Sequence, residues 1–357
     1  MDLTALGWSP RLAEGFAAHA AAGLVPARVA LEHTHIYRVL TESGEWLARV
    51  SGRLRHRAAA RVDFPAVGDW VAVEPPVEGA EARIHAVLPR FSRFSRRAAG
   101  DPTEEQIVAA NIDTVFLVTG LDGNFNPRRI ERYLVVAGES GARPVIVLNK
   151  ADLVDDPEAA VETVRPLSSG VDIVAVSCRQ QGSVDVLRQY VGFGQTGALL
   201  GSSGVGKSSI VNKLLGQELL RTREVRTWDS RGRHMSTTRQ IVMLPGEGVL
   251  IDTPGMRELQ LWETGESVAE TFADIEERAA ECRFRDCRHD TEPGCAVLAA
   301  VDAGEIPAGR LASFRKLADE QAYRARQQDE RAQIEKRRGR IGSKALRQRL
   351  KQKDNTE

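Results

Sequence analysis

Cysteine is scarce in this 357-residue sequence. There are four, and three of them, Cys282, Cys287 and Cys295, are crowded into fourteen residues. So uneven a distribution argues against a disulfide framework and points to a metal instead. Long apolar runs are lacking too. No stretch approaches the ~20 residues that a membrane-spanning helix needs. The opening "MDLTALGWSPRLAEGF" carries an acid at position 2 and no basic n-region, so it does not read as a secretory signal. No membrane partner is expected, and a cytoplasmic location is. Net charge is also missing, with 49 Lys and Arg against 49 Asp and Glu. The balance is uneven along the chain: from Tyr323 to Lys353 there are twelve basic residues and three acidic ones. What is present, 42% hydrophobic and 27% charged residues, is a soluble globular composition, and the length suits two or three compact units.

Residues 1–26 read as a short helical arm. Over 27–100 the runs "ARVALEHTHIYRVLT", "EWLARVSGRL", "GDWVAVEP" and "ARIHAVLP" are β-like and separated by Gly, Pro and charged turns, the pattern of a small barrel. "RFSRFSRR" (Arg90 to Arg97) has two readings: a barrel-exit strand with a solvated face, or a nucleic-acid contact in which aromatics stack and guanidiniums meet phosphate. The texture changes over 101–256. "IDTVFLVTG" and "PVIVLNKADL" are continuous apolar runs, as in parallel strands buried on both faces. Between them "NPRRIERYLVVAGESG" places Ile130, Tyr133, Leu134 and Ala137 at helical spacing before a Gly stop. "VDIVAVSC" reads as a strand, "GSVDVLRQYV" as a helix, and "GVLIDTPG" as another strand. This alternation predicts a doubly wound α/β domain with a mostly parallel sheet. Residues 257–322 read as helical and charged, with the cysteine cluster inside, and 323–357 as a basic helical tail.

The chemistry lies in three motifs at predicted strand ends. "GSSGVGKSS" follows an apolar strand and opens a helix, the context that a phosphate-binding loop requires. Gly201, Ser202, Ser203, Gly204, Val205 and Gly206 would present backbone N–H groups to phosphate oxygens. Lys207 would span the β- and γ-phosphates, Ser208 would donate its hydroxyl oxygen to Mg²⁺, and Ser209 continues the helix start. "LIDTPG" (Leu250 to Gly255) places Asp252 where a carboxylate holds Mg²⁺ through water and the Gly255 N–H meets the γ-phosphate. "NKAD" supplies Asn149, Lys150 and Asp152. The Asp152 carboxylate can accept from guanine N1–H and the exocyclic amine, donors that adenine lacks on that edge, so GTP is selected over ATP. "VSC" would back the base with the main chain at Ser177 and Cys178, although a buried strand end explains these residues equally well. In an ordinary GTPase the guanine reader follows the phosphate loop; here it lies upstream. Because each motif is local to one strand end, the sheet tolerates a circular permutation.

"DSRGRHMSTTRQI" (Asp229 to Ile241) occupies the place of a first switch loop. Thr237 or Thr238 is the expected ligand of Mg²⁺ and the γ-phosphate. Met256 follows Gly255 where Ras-type enzymes use Gln to orient water, so His234 is the candidate for positioning the nucleophile, against the alternative that it only contacts a partner. Cys282, Cys287, His289 and Cys295 offer three thiolates and one imidazole, a closed tetrahedral set for one structural Zn²⁺. Cys178 stands apart and suits a core position.

Assembled, these residues resemble the circularly permuted, ribosome small-subunit-dependent GTPases of the RsgA (YjeQ) family. The resemblance covers nearly the whole chain: "GDWV" in the barrel, the permuted "NKAD", "GSSGVGKSS" and "DTPG", the "GRH" switch, and the Cys-x4-Cys-x-His-x5-Cys cluster. It implies a multi-domain α/β protein with an N-terminal OB-fold β-barrel, a circularly permuted P-loop GTPase domain and a C-terminal helical zinc-binding domain. It implies binding to the small ribosomal subunit and its rRNA late in maturation, with hydrolysis stimulated by that particle; a monomer is expected. Family members often carry consecutive threonines directly after the switch His, whereas this chain has "HMSTT", which leaves both threonines open. Two rival readings are an RNA-binding regulator with GTP as a structural ligand, which Met256 permits, and a GTPase serving a protein or metallocentre-assembly partner, which the barrel and basic tail disfavour.

Overall fold

The structure is a computed structural model. It describes residues 1–33, 36–77, 80–98, 101–123, 125–168, 170–216, 240–246, 248–252, 266–323 and 326. In the arm, Ser9 caps α1 (Pro10–Ala20), its hydroxyl accepting from the Leu12 N–H, and Pro10 occupies the first turn, where a helix can spare an N–H. β1 (Val25–His33) and β2 (Ile36–Thr41) pair antiparallel, so the first long β-like run of the sequence is two strands of a hairpin. β3 (Gly44–Val50) leads through Ser51 into α2 (Gly52–Arg57). "EWLARVSGRL" is therefore a strand and then a helix, because the Ser51 hydroxyl accepts from the Leu54 N–H and caps the turn. β4 (Trp70–Glu74) and β5 (Ala82–Val87) complete the set. The order β1-β2-β3-β5-β4 returns to β1, with β3 and β5 parallel. That closure is the five-stranded OB topology. Val29, Tyr37, Val39, Val71 and Ile84 fill the barrel, while Leu6, Leu12 and Phe16 of the arm pack outside it on Trp70.

β6 (Arg93–Ala98) and β7 (Asp101–Ala110) form a separate hairpin, and the divide drawn between residues 100 and 101 falls between its two strands. Much of "RFSRFSRR" is committed to packing. Arg90 pairs with buried Asp69 at 2.7 Å and donates to the Val62 and Phe64 carbonyls. Ser92 bonds Ile112 and Phe94 is buried. Phe91 and Arg93 remain at the surface.

The α/β part contains β8 (Thr114–Gly120), α3 (Pro127–Ser140), β9 (Arg143–Asn149), α4 (Pro157–Val164), β10 (Asp172–Ala175), β11 (Thr196–Leu200), α5 (Lys207–Leu215), β12 (Gln240–Met243) and β13 (Val249–Asp252). Strand order is β10-β9-β8-β11-β13-β12, parallel throughout except for β12. β12 also meets β1 at Gln240 and Leu31, so this sheet runs on into the barrel. "GSVDVLRQYV" forms a 3₁₀ run over Asp185–Tyr190 where an α-helix is expected. α6 (Glu266–Thr271), α7 (Ala273–Ala279), α8 (Ala296–Asp302) and a helix over 308–323 follow. Phe272, Ile275 and Leu311 of this C-terminal module share one core with Ile130 and Tyr133 of α3. The divide at 256 lies outside the described residues, as does nearly all of 323–357. No described helix is long and apolar enough to cross a membrane.

One buried guanidinium joins four parts of the chain. Arg28, on β1 and 1% exposed, donates to the carbonyls of Leu6, Gly68 and Asn111 and, at 2.7 Å, to Thr196 Oγ1. Thr196 opens β11, and its N–H donates to Asp113 Oδ2 at 2.7 Å. Burial pulls the Arg28 guanidinium down to about 10, with Asp113 and Asp69 acting against it, so it stays charged at neutral pH.

Candidate nucleotide site and metal cluster

β11 ends at Leu200 and α5 begins at Lys207, so the intervening loop delivers a helix N-terminus to the edge of the sheet, a ready site for an anion. Two of its glycines are obligatory. A Cβ at Gly201 would lie 2.3 Å from the Val118 carbonyl oxygen, and one at Gly206, where φ is +98°, would lie 2.2 Å from Asn149 Nδ2. Ser203 and Gly204 are exposed at the tip, Ser202 is half-buried, and Val205 is buried beneath. Lys207 curls over the loop, its Nζ donating to the Gly201 and Ser202 carbonyls at 2.8 and 2.7 Å. Ser208 and Ser209 sit half-buried in the first turn of α5.

The guanine motif lies directly alongside. Asn149 ends β9 and is 1% exposed, and its Nδ2 donates to the Val205 carbonyl at 2.8 Å. Lys150 adopts the left-handed conformation (φ 64°) and its Nζ lies 2.6 Å from Asp122 Oδ2. Asp152 accepts a hydrogen bond from the Ser177 hydroxyl and has Arg179 Nη1 at 3.6 Å. Ser177 is fully buried, and its N–H donates to Ser183 Oγ at 2.9 Å. Cys178 Sγ is 3.6 Å from Asn149 Oδ1, and burial pushes its thiol above the ordinary value. The structure thus gathers Asn149, Lys150, Asp152, Ser177 and Cys178 around the loop of Gly201 to Ser209. Parallel pairing of Ala198 with Ile251 brings the β13 backbone to Asp252 at the same sheet edge. Gly255, His234, Thr237, Thr238 and Met256 lie outside the described residues.

Asp122, Arg129, Arg179 and Ser183 escape the sequence reading. Asp122 follows the end of β8, and the rule that picks out strand ends would have found it. Arg129, whose Nη1 donates to Ser202 Oγ at 3.2 Å, sits in an ordinary amphipathic helix with no such signal.

In the C-terminal module the ligand atoms of Cys282, Cys287, His289 and Cys295 lie within 4.8 Å of one another. Cys282 Sγ is 3.8 Å from Cys295 Sγ, and His289 Nδ1 is 3.6 and 3.4 Å from these two sulfurs. A tetrahedral ion with Zn–S bonds of ~2.3 Å sets its ligand atoms ~3.6–3.8 Å apart, so the donor set fits a closed four-coordinate site. Cys295 caps α8 through the Leu298 N–H, and the His289 ring rests 6.2 Å from that of Phe314. The cluster therefore ties the segment that follows α7 to the start of α8.

Comparison with known proteins agrees with this geometry. The sequence matches the RsgA GTPase family over residues 87–262. A protein of Opitutus terrae named "Small ribosomal subunit biogenesis GTPase RsgA" is 50% identical, over 92% of each chain. One of the same name from Streptomyces coelicolor is 43% identical, covering 96% of this chain and 94% of its own. Among solved structures, YjeQ from Thermotoga maritima superposes with a TM-score of 0.62 at 28% identity, over 84% of this chain and 99% of that one. YloQ, described as a circularly permuted GTPase, shares the fold with a TM-score of 0.59, over 84% of this chain and 96% of its own at 23% identity. With half of its residues identical to a relative across nine-tenths of both sequences, the chain belongs to the RsgA GTPase family.

Proposed function

We propose that this protein hydrolyses GTP to GDP and phosphate, and that it acts on the small ribosomal subunit late in that particle's maturation, with the subunit stimulating turnover. The observation that carries the reading is the hydrogen bond from Asn149 to the Val205 carbonyl. It ties a guanine-reading strand end to a phosphate loop 56 residues downstream, so a single nucleotide would span both. Asp152 reads the guanine edge, with Lys150 beneath the base and the main chain at Ser177 and Cys178 behind it. The N–H groups from Ser202 to Ser209 and the ammonium of Lys207 take the phosphates. Ser208 and Asp252 would hold Mg²⁺, which supplies charge neutralisation on the phosphates when bound. Gly255 and one of Thr237 and Thr238 serve the γ-phosphate, and His234 positions water. Cys282, Cys287, His289 and Cys295 hold one structural Zn²⁺. The names of the relatives support the small subunit as partner, and the barrel and basic tail support contact with its rRNA. A cytoplasmic monomer fits these roles.

Phosphate release measured with and without purified small subunits tests the proposal. The free protein is expected to turn over slowly, because Met256 offers no polar group to water. A Ras-type partner effect reaches ~10⁵-fold, so even partial stimulation is easily read. His234→Ala should remove the stimulated rate and leave GTP affinity and subunit binding near wild type. Wild-type turnover that ignores small subunits would favour the reading in which GTP is a structural ligand.

A further inference from the structure

α3 lies between the phosphate loop and the C-terminal module and touches both through successive charged residues. Towards the loop, Arg129 Nη1 donates to Ser202 Oγ at 3.2 Å. The Lys207 ammonium bonds the carbonyl of that same serine, so two cations fix one loop residue. Towards the module, Glu131 Oε1 accepts from Arg310 Nη1 at 2.9 Å, and both side chains are almost fully buried. Arg310 in turn grips Asp274 with two bonds of 2.7 Å, donates to the Thr271 carbonyl, and lies 4.8 Å from the centre of the Phe272 ring. Arg132 reaches Glu320 at 3.0 Å. A Cβ at Gly309 would lie 2.8 Å from Arg128 Nη2, so the Arg128 side chain of α3 reaches the module's backbone.

A charge pair this deep holds its geometry tightly, because breaking it strands a charge away from water. α3 is a single unbroken helix through these residues, so a movement of the module that carries Glu131 with it also moves Arg129 relative to the loop. We propose that Arg129 is a positioning residue for GTP hydrolysis, holding the phosphate loop through Ser202, and that the C-terminal module sets its placement through the Glu131–Arg310 pair. This connection runs through α3. The inference rests on the GTPase reading given above.

The test uses full-length protein with Mg²⁺ and GTP, both alone and with saturating small subunits. GTP affinity is measured separately from kcat. Misplacement by ~1 Å far from the chemistry can cost ~100-fold, so Arg129→Ala and Ser202→Ala are each expected to lower kcat at least ~10-fold with GTP affinity within ~3-fold of wild type. The double variant should be no worse than either single one, as expected of two groups acting through one hydrogen bond. Arg129→Lys should recover part of the rate. Glu131→Gln, which keeps shape and removes charge, should lower kcat in the wild type but not further in the Arg129→Ala background. Arg310→Lys repeats that arm should Glu131→Gln fold poorly. Unchanged kcat in Arg129→Ala and Ser202→Ala, or additive effects of the two, overturns the positioning role. Normal kcat in both Glu131→Gln and Arg310→Lys overturns the link to the module. A wild type that releases no phosphate under either condition fails the GTPase reading itself, a result distinct from both.

Discussion

At the scale of single residues, the site separates holding from reading. Asn149 and Gly206 meet so closely that neither has room to change: a methyl at 206 would occupy the place of the Asn149 amide. Asn149 therefore holds the loop, and the base selection proposed above belongs to Asp152. That carboxylate is oriented by the Ser177 hydroxyl, itself fully buried and fixed by neighbours. Asp152→Asn should weaken GTP binding by ~10-fold or more, since losing one partner of a charged hydrogen bond costs ~1.5–3 kcal/mol. The same variant should favour xanthosine triphosphate, whose additional carbonyl suits an amide donor. A competition assay between the two nucleotides checks this, and an unchanged preference would remove Asp152 from the base site.

At the scale of elements, the proposed Zn²⁺ site bears on the stability of the C-terminal module. α6, α7 and α8 have six or seven residues each, too few to be stable as isolated helices. Cys287→Ala should therefore release Zn²⁺ and loosen the described part of the module, while GTP affinity changes little, because metal binding in such a site is folding free energy. Elemental analysis should find one zinc per wild-type chain, and hydrogen exchange should show faster opening over residues 266–323 in the variant. A fully folded, metal-free preparation would sink the assignment. At this scale the sequence was most informative. Phosphate loop, guanine motif and cysteine cluster are each written in contiguous residues, so their chemistry can be read without knowing the fold. The short β-like runs named the barrel but not its hairpin, because no strong turn signal separates β1 from β2. "RFSRFSRR" allowed either a barrel-exit strand with a solvated face or a nucleic-acid contact, and neither reading told that Arg90 and Phe94 serve the interior. A local pattern does not reveal that Asp69 waits beside Arg90. The Glu131–Arg310 pair joins residues 179 apart, with no periodicity at either end to announce it.

At the scale of the whole molecule, one buried charge joins barrel, arm and α/β sheet. Among the described residues Arg28 hydrogen-bonds three carbonyls and a hydroxyl and no carboxylate. Arg28→Met fills similar volume but leaves these acceptors without their donor, at ~1–3 kcal/mol for a buried polar group left unsatisfied. The loss should exceed ~3 kcal/mol in total and appear as a lower midpoint in urea, with arm and barrel protecting their amides less. An unchanged midpoint would show that the acceptors find other partners. The four acceptors are also spread in time. Leu6 leaves the ribosome before Arg28, Gly68 and Asn111 leave after it, and Thr196 comes last of all. Chains are made vectorially and early regions begin to fold first, so the barrel can close around its own core while one of its cations is still waiting. Until β11 is synthesised, the nascent arm and barrel carry an incompletely satisfied charge on the face where the GTPase sheet will dock. The final docking step is thereby tied to the arrival of the strand that leads into the phosphate loop.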